Sequence, residues 1–359
     1  MIWKKRIKWL KTLTEASGVT GDEGEIKKLL VERLSGKASI SYDKLGSVIF
    51  EKVGAPTGPR IMLAAHMDEI GFFVKHITKE GFIKFGQLGG WPDQVLLSQR
   101  VEILSNSGRH LGVIGSMPPH LMDAEQRKKL VEKKDMYIDI GAIDEQQVKA
   151  LGIRPGDPIV PVSEFKVMGN EKLLLAKAWD DRVGCAIMVD VIEALQTIDH
   201  PNTVFGVGTV QEEVGLRGAR TAVNAVKPDL AIIVDVGING DTPGVTPEKS
   251  AVGLGKGPAI TVYDTSMVPH RRFKDFIFEL AEKHNIPFQY SVVEAGGTDA
   301  GAIHLSDTGV PSIAISMPAR YIHSHNGLIH TDDYDNTLKL ITLLIQELTS
   351  ECYREIIEN

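Results

Sequence analysis

The sequence predicts an α/β fold with a mixed, largely parallel sheet, helices on both faces and an inserted small β-barrel domain. Two observations support this class. In the first part of the chain and after about residue 163, apolar β-branched runs alternate with segments of helical periodicity, which is typical of a buried sheet covered by helices. Between residues 72 and 162 the runs are short, alternate with polar residues and end at glycine-containing turns. That pattern indicates a small barrel or sandwich.

Local periodicity then predicts each element in order. Residues 1 to about 35 have apolar residues at helical spacing, with a break at Gly-Val-Thr-Gly, 18–21. Strands are expected in ISYDKLGSVIFEKV and IMLAAHMDEIGFFV, and residues 124–134 of the insert form a charged helix or a mobile loop. After the insert we expect a helix at RVGCAIMVDVIEAL, strands at TVFGVGTVQ and LAIIVDVG, a helix at RRFKDFIFELAEKHN, strands at FQYSVVEAG and PSIAISMPAR, and a long helix from Asp333 to the C-terminus. One α/β domain, 1–71 plus 163–359, is thus interrupted by a module at 72–162.

Composition excludes several classes of function. A chain of 359 residues with 43% hydrophobic and 24% charged residues can bury a substantial core. The net charge is −7 without a long basic run, so no nucleic-acid partner is expected. Two distant cysteines, Cys185 and Cys352, fit a reducing compartment. No segment has the form of a signal peptide or a membrane span, so a cytoplasmic protein without membrane contact is expected.

Polar residues gather where the predicted strands end, which is where open α/β sheets bind ligands. Asp180 and Asp181 instead precede a helix, where an aspartate commonly caps the helix. The residues that follow apolar runs are His66 and Asp68, Glu212 and Glu213, Asp235, and His323. Taken singly, each has an ordinary structural explanation as a helix cap, a buried histidine or a solvated charge at a strand end.

Glu212 and Glu213 are adjacent, so a regular strand would point their side chains to opposite faces. Either one glutamate is solvated, or the strand ends there and both turn toward a common site. Several carboxylates buried together without cations would raise one another's pKa values at a high free-energy cost. Two histidines with three or four carboxylates and no cysteine suit a pair of divalent metals such as Zn²⁺, Co²⁺ or Mn²⁺.

Six motifs carry a resemblance to a known family over essentially the whole chain. They are, in order, AAHMDEIGF, AKAWDDRVG, VQEEVGLRGA, IIVDVG, AGGTDAG and ARYIHS. The sequence resembles the cytosolic dinuclear metallo-aminopeptidases that form tetrahedral particles, the glutamyl and deblocking aminopeptidase group, some of whose members are labelled endoglucanases. The resemblance implies a zinc-aminopeptidase-like α/β fold. It also implies two divalent metal ions per subunit, short peptides with a free N-terminus as substrates, and hydrolysis by a water that bridges the metals.

The same resemblance assigns roles to individual residues. His66 and Asp235 match the terminal ligands of one metal, Glu213 and His323 those of the other, and Asp180 the bridging carboxylate. Glu212 matches the general base, and Asp68 matches the residue that orients a metal-bound imidazole. The substrate pocket has four candidate residues, Gly296, Gly297, Thr298 and Asp299, because glycines allow a close approach of the backbone. A turn between strand and helix explains these residues equally well.

Some assignments stay open at this point. On spacing alone His325 competes with His323, and His330 lies nearby. Asp181 either supports the bridging region or pairs with Arg182, and Cys185 lies in an apolar helix and is expected to be inert. The resemblance further implies a cis peptide bond between Asp180 and Asp181. It makes 72–162 a dimerisation domain of a tetrahedral dodecamer, with 118–129 near a neighbour's active site.

Other functions remain as alternatives. A dinuclear deacylase or carboxypeptidase-like hydrolase shares the metal chemistry and is the nearest of them. An endoglucanase needs only paired carboxylates, but its cleft usually offers stacking aromatics, and aromatics are 6% of this chain. A catalytically silent peptide-binding scaffold would be favoured if Glu212 were replaced, and Glu212 is present.

Overall fold

The computed structural model of the protein describes residues 2–358. The helices of this part are α1 (Ile2–Glu15), α2 (Gly24–Leu34), α3 (Glu145–Ala150), α4 (Trp179–Ala194), α5 (Arg217–Val226), α6 (Arg271–Lys283), α7 (Ala300–Ile303), α8 (Thr331–Glu347) and α9 (Ser350–Glu358). None of the helices in residues 2–358 has the length and apolar character needed to cross a membrane.

The strands divide among three sheets. Their bounds are β1 (Ser39–Tyr42), β2 (Val48–Val53), β3 (Arg60–His66), β4 (Gly71–Ile77), β5 (Ile83–Leu88), β6 (Arg100–Ser105), β7 (Gly108–Gly115), β8 (Tyr137–Asp139), β9 (Pro158–Pro161), β10 (Lys166–Val167), β11 (Leu173–Ala176), β12 (Thr203–Thr209), β13 (Leu230–Ile238), β14 (Ala259–Asp264), β15 (Gln289–Val293), β16 (Ser312–Ala319) and β17 (Gly327–His330). The order in the eight-stranded sheet is β1-β2-β12-β3-β13-β16-β14-β15.

The centre of the large sheet is parallel. Strands β12, β3, β13 and β16 run in the same direction, and β2 and β14 join them antiparallel. The central strands β12 and β13 are buried along nearly their whole length, as expected for a sheet covered on both faces. The carboxyl ends of β12 and β3 are level, since Thr209 pairs with His66. The prediction of a mixed, largely parallel sheet is confirmed.

Two apolar layers cover the large sheet. One contains side chains of α1, α2, α4, α6 and α8, for example Leu30, Ile187 and Leu344. The other is smaller and contains residues of α5 and α7, such as Val223 and Ile303. Strands β4 to β9, between Gly71 and Pro161, close into a barrel with its own core. The inserted β-barrel is therefore confirmed as part of the fold.

Two sequence expectations need refinement. The C-terminal segment forms two helices, α8 and α9, in place of one long helix. The Thr349 hydroxyl accepts a hydrogen bond from the Cys352 amide at 3.1 Å and so starts a new helix after Leu348. Residues 124–134, expected as a charged helix or a loop, form a loop with short 3₁₀ turns.

Hydrogen bonds and ion pairs of buried charged side chains connect α1 to the end of β3. The guanidinium of Arg182 is fully buried and donates hydrogen bonds to the carbonyl oxygens of Leu13 at 2.8 Å and Met67 at 2.9 Å. It also contacts Glu69 at 3.2 Å, and Glu69 accepts from Lys177 at 2.6 Å. Arg182 therefore pairs with Glu69, and the expected alternative of an Asp181–Arg182 pair is wrong.

We expect Arg182→Met to lower the free energy of unfolding by about 3–5 kcal/mol, because it leaves a buried glutamate and several backbone carbonyls short of partners. The measurement is chemical denaturation followed by circular dichroism. Arg33→Met is the matched control, because Arg33 is 40% exposed in its ion pair with Glu193 and should cost less than about 1 kcal/mol. Equal losses in the two variants would contradict this interpretation.

Candidate metal centre and substrate cavity

The carboxyl ends of the central strands bring the predicted residues together. His66 is the last residue of β3, Asp235 lies within β13, and His323 follows β16. Asp180 enters from the start of α4, where the backbones of Asp180 and Asp181 are not helical. The peptide bond between these two aspartates is cis, as expected.

Glu212 and Glu213 both turn toward this site. Strand β12 ends at Thr209, and Gln211 has a φ of 55°, so the alternation of a regular strand does not continue. The amides of Glu212 and Glu213 donate to the Asp68 carboxylate at 2.9 and 3.2 Å. The two glutamates therefore share one site because the chain leaves the strand before reaching them.

Asp180 lies between the two histidines. Its Oδ1 is 2.9 Å from His66 Nε2, and its Oδ2 is 3.4 Å from His323 Nε2. Asp235 Oδ1 is 3.9 Å from His66 Nε2, and Glu213 Oε2 is 3.5 Å from His323 Nε2. Three sets of three possible ligands have donor atoms within 4.8 Å of one another. Two of them, His66–Asp180–Asp235 and Asp180–Glu213–His323, share the Asp180 carboxylate, and the third is His66–Glu212–Glu213.

The protonation of the carboxylates reflects their crowding. Burial raises the pKa of Glu213 to about 8 and that of Asp235 to about 7, and the charge of Asp180 adds to both. Burial also raises the pKa of Glu212 well above its usual value, with Asp235 and Asp299 reinforcing the shift and His66 opposing it. Without cations, these acids hold protons near neutral pH.

The histidines show the opposite response to the same negative charge. Burial acts against the charged ring of His323, but its hydrogen bond with Asp180 and the charge of Glu213 raise its pKa to about 9. Burial acts on His66 in the same way, and Glu212 and Asp180 raise its pKa well above the usual value. The pKa of Asp180 is lowered in turn. Burial acts to raise it, but the hydrogen bonds with His323 and His66 and the charges of these rings outweigh burial.

Divalent cations fit this donor set. Glu213 Oε1 is buried and has no hydrogen-bond partner within residues 2–358. Imidazole and carboxylate donors without thiolate are suited to borderline and hard divalent ions. Bound cations would balance the negative charge of the crowded carboxylates, so the residues present fit divalent metal binding.

Asp68, which the resemblance predicted, lies against His66, and two further residues that support the site, Thr20 and Glu23, were not found from the sequence. Asp68 fixes His66 through its carbonyl oxygen, 3.1 Å from Nδ1, and its carboxylate, 3.5 Å away. Thr20 donates to Asp68 at 2.8 Å, and Glu23 Oε1 accepts from the Gln211 amide at 3.1 Å. Thr20 lies in the predicted break between two helices, and Glu23 lies just after it. Nothing in the sequence of this segment indicates that it contacts the site.

The barrel also approaches the ligands. A Cβ placed at Gly90 would lie 3.0 Å from His323 Nδ1, and one at Gly89 would lie 3.2 Å from Glu213 Oε2. Gly89 has a φ of 78°, a conformation that a side chain disfavours. The pair of glycines in LGGWP is the sequence signal that could have indicated this close approach.

The tertiary structure separates the three C-terminal histidines. His323 faces Asp180 and Glu213, as described above. His325 packs against Trp91 with ring centroids 5.2 Å apart, and burial lowers its pKa to about 4. His330 accepts a hydrogen bond from the Asp332 amide at 3.1 Å and caps α8.

Asp181 and Cys185 support the site from behind. Asp181 accepts from the amides of His66 at 3.2 Å and Gly184 at 3.0 Å, so it both holds β3 and caps the regular part of α4. The Cys185 thiol is buried and donates to the carbonyl of His66 at 3.2 Å. Burial raises the pKa of Cys185, which is consistent with an inert thiol.

A cavity of about 270 Å³ opens beside the ligands. Of the four residues expected at the substrate pocket, Gly296, Gly297 and Thr298 lie in its wall. Asp299 is buried behind them and accepts from the Thr209 hydroxyl at 2.5 Å. Burial raises the pKa of Asp299 to about 6.

Sequence comparison shows the family. The profile of the M42 glutamyl aminopeptidases matches residues 46–340. The chain belongs to this family. It is a metal-dependent aminopeptidase, a hydrolase of peptide bonds, and the predicted resemblance is confirmed.

Two relatives have names that specify different N-terminal residues, glutamyl in one and lysyl in the other. The aminopeptidase is 34% identical to a glutamyl aminopeptidase of Lactococcus lactis subsp. cremoris (strain MG1363), covering 97% of this chain and 98% of the relative. It is also 34% identical to a lysyl aminopeptidase of Pyrococcus furiosus, covering 94% of this chain and 96% of the relative.

Solved structures share the complete fold. A TET aminopeptidase from a marine sediment archaeon, Thaumarchaeota archaeon SCGC AB-539-E09, has a TM-score of 0.97 at 44% identity and covers 99% of this aminopeptidase and 100% of that chain. The Pyrococcus horikoshii TET1 peptidase, which can assemble into a tetrahedron or a large octahedral shell, has a TM-score of 0.87 at 34% identity, with coverage of 95% and 99%.

For the aminopeptidase, His323→Ala should lower the content of bound divalent metal, because the ligand set Asp180–Glu213–His323 loses its only imidazole. His325→Ala should keep the full content, because that ring contacts Trp91. Elemental analysis after loading with Zn²⁺ and dialysis gives the metal content, and circular dichroism checks folding. Loss of metal from folded His325→Ala, with His323→Ala unaffected, would reverse the assignment.

Proposed function

We propose that the chain removes the N-terminal residue from short peptides with the help of two divalent cations. His66 and Asp235 would hold one cation, Glu213 and His323 the other, and Asp180 would contribute one oxygen to each. The observation that carries this proposal is the position of the Asp180 carboxylate, whose two oxygens lie 2.9 Å from His66 Nε2 and 3.4 Å from His323 Nε2. Zn²⁺, Co²⁺ and Mn²⁺ all suit these donors.

The cations would act as Lewis acids that lower the pKa of water and polarise the scissile carbonyl. Glu212 is then the proton carrier: its carboxylate takes the proton of the attacking water and returns it to the leaving amine. Burial raises the pKa of Glu212, and bound cations would lower it again, so that its carboxylate would be free to accept the proton. Asp68 keeps the His66 ring in place and, through its bonds to the amides of residues 212 and 213, keeps Glu212 beside the reacting atoms.

The substrate would be a peptide end. The carboxylates around the ligands attract a free α-ammonium group, and the cavity of about 270 Å³ is small enough to hold a single residue's side chain. No phenylalanine, tyrosine or tryptophan is among the described residues that line it, so the stacking surface that an endoglucanase uses is missing there. The family match favours an aminopeptidase over a deacylase or a carboxypeptidase-like hydrolase.

Conservative changes should separate the two glutamates. Glu212→Gln removes the proton acceptor but keeps the size of the side chain, so metal content should stay at about two ions per chain while kcat falls by a factor on the order of 10² to 10⁴. Glu213→Gln replaces an anionic ligand with an amide, so one ion should bind weakly and excess metal should partly restore activity. Elemental analysis and turnover of a leucyl substrate measure both effects.

Each outcome of this comparison is informative. If Glu212→Gln loses metal and Glu213→Gln keeps two ions, the two roles are exchanged. If both variants turn over the substrate like the unchanged enzyme, neither glutamate belongs to the reaction.

We also propose that the barrel, about 72–162, is a dimerisation domain and that dimers assemble into a tetrahedral dodecamer. The barrel exposes large apolar side chains, including Leu111 at 56% and Leu121 at 75%, which is consistent with a covered surface in an assembly. The TET1 peptidase of Pyrococcus horikoshii assembles into closed shells. Segment 118–129 would then lie near a neighbour's active site. The free thiols of Cys185 and Cys352 are compatible with a cytoplasmic protein.

Light scattering tests the assembly. At micromolar concentration and moderate salt, the mass should be close to twelve chains, with dimers as the smaller species. Leu111→Glu should shift the distribution toward smaller species if the barrel carries the interface, because it would bury a charge there. A monomer as the only species of the unchanged protein would contradict the assembly.

A further inference from the structure

The cavity extends away from the metal ligands along the ends of β14 and β15. These two strands pair in parallel, with Thr261 beside Ser291 and Asp264 beside Val293. Aliphatic side chains of Leu216, Ile238, Val293 and Ile322 contribute to the wall. The side chain of a bound N-terminal residue would therefore lie against an apolar surface before it reached Asp264.

Asp264 is a buried carboxylate with one oxygen unused. It is 2% exposed and lies in the cavity wall. Its Oδ1 accepts from the Ser266 amide at 2.7 Å, the Ser266 hydroxyl at 2.6 Å and the Met267 amide at 2.8 Å. Its Oδ2 has no hydrogen-bond partner within residues 2–358. A buried polar atom without a partner is uncommon and calls for an explanation.

Turn formation alone does not explain the free oxygen. Asp43 forms a similar turn, since its Oδ1 accepts from the amides of Leu45, Gly46 and Ser47 at 2.7–3.0 Å. Its second oxygen is also used, because Oδ2 accepts from the Thr221 hydroxyl at 2.5 Å. Asp264 differs in that its second oxygen has no hydrogen-bond partner within residues 2–358, and the residue lies in the wall of a cavity.

The charge of the cavity selects among possible side chains. Among the described residues that line it there is no lysine or arginine, and the carboxylates other than Asp264 belong to the metal centre and the proposed base. An acidic side chain would find no lysine or arginine partner there. A long aliphatic stem would bury against the wall, and a cationic end would give Asp264 Oδ2 a charge-assisted hydrogen bond.

We propose that this cavity selects peptides whose N-terminal residue is lysine or arginine, and that Asp264 determines this specificity. The inference rests on the proposed aminopeptidase function and names its substrate class. Gly297 contributes to the geometry, because a Cβ there would lie 2.3 Å from Ser266 Oγ and 3.5 Å from Asp264 Oδ1. A side chain at this position would force Ser266 to shift, so glycine lets the loop lie close against the Asp264 turn.

The first test uses the unchanged enzyme loaded with Zn²⁺ or Co²⁺ and a panel of lysyl, arginyl, norleucyl and glutamyl chromogenic amides. Norleucine matches the lysine stem without its charge. We expect kcat/KM for the lysyl or arginyl substrate to exceed that for the norleucyl substrate by about tenfold or more, the scale of a hydrogen bond to a charged group, with glutamyl lowest. Equal rates for lysyl and norleucyl, or a preference for glutamyl, would overturn the inference. Absence of turnover on the whole panel would instead reject the aminopeptidase function.

The second test changes the charge of Asp264 alone. Asp264→Asn retains an Oδ1 acceptor for the turn but removes the negative charge, so the lysyl-to-norleucyl ratio of kcat/KM should fall by about tenfold, chiefly through KM. Asp43→Asn is the matched control, because it makes the same change in a similar turn outside the cavity and should keep the ratio. A ratio that is unchanged in folded Asp264→Asn, or that falls equally in both variants, would show that Asp264 only supports the turn. If Asp264→Asn does not fold, the substrate panel decides.

Discussion

The structure of the site depends on one constraint: several negatively charged carboxylates lie close together at the carboxyl ends of parallel strands. Asp180, Glu213 and Asp235 surround two histidines in a largely buried region at the wall of the cavity, and Glu212 lies beside them. Burial alone would favour the neutral form of every acid. Without a cation, the charge is balanced in two ways. The raised pKa values of Glu213 and Asp235 favour protonated, neutral acids, and the raised pKa of His323 favours a protonated, positively charged ring. Divalent ions balance it more completely, which links metal binding to the integrity of the site.

The scaffold around this charge is polar and buried. Asp68 accepts from the amides of both glutamates and from Thr20, so a single carboxylate aligns the loop after β12 with the end of β3. Behind it, Glu69, Lys177 and Arg182 connect β3 to the carbonyls at the end of α1. Because each member of these groups has partners, the network fixes the ligands within a narrow range of positions.

The metal centre and the cavity beside it overlap, because the metal ligands form part of the cavity wall. Other parts of the wall come from β14 and β15 at one side of the sheet and from the loop 295–298. The residues of these other parts can therefore change without replacing a metal ligand. Such changes are compatible with relatives of similar sequence identity that carry glutamyl and lysyl names.

The sequence by itself determined the fold class, the inserted barrel and the family. The fold class and the barrel follow from local sequence, because helices and strands have different periodicities of apolar residues. The family follows from six motifs in order, which are more specific than any single residue. It also placed His66, Glu212, Glu213 and Asp235 near strand ends, because parallel strands bring their carboxyl ends to one edge.

Only the tertiary structure decided the contacts that depend on how loops turn. His323 and His325 are two residues apart, yet one faces Asp180 and the other packs on Trp91. Thr20, Gly90 and Asp264 come from distant parts of the chain, so no local periodicity could place them beside the site. Strand direction follows from nearby residues, whereas the direction of a side chain in a loop is set by partners that are remote in sequence.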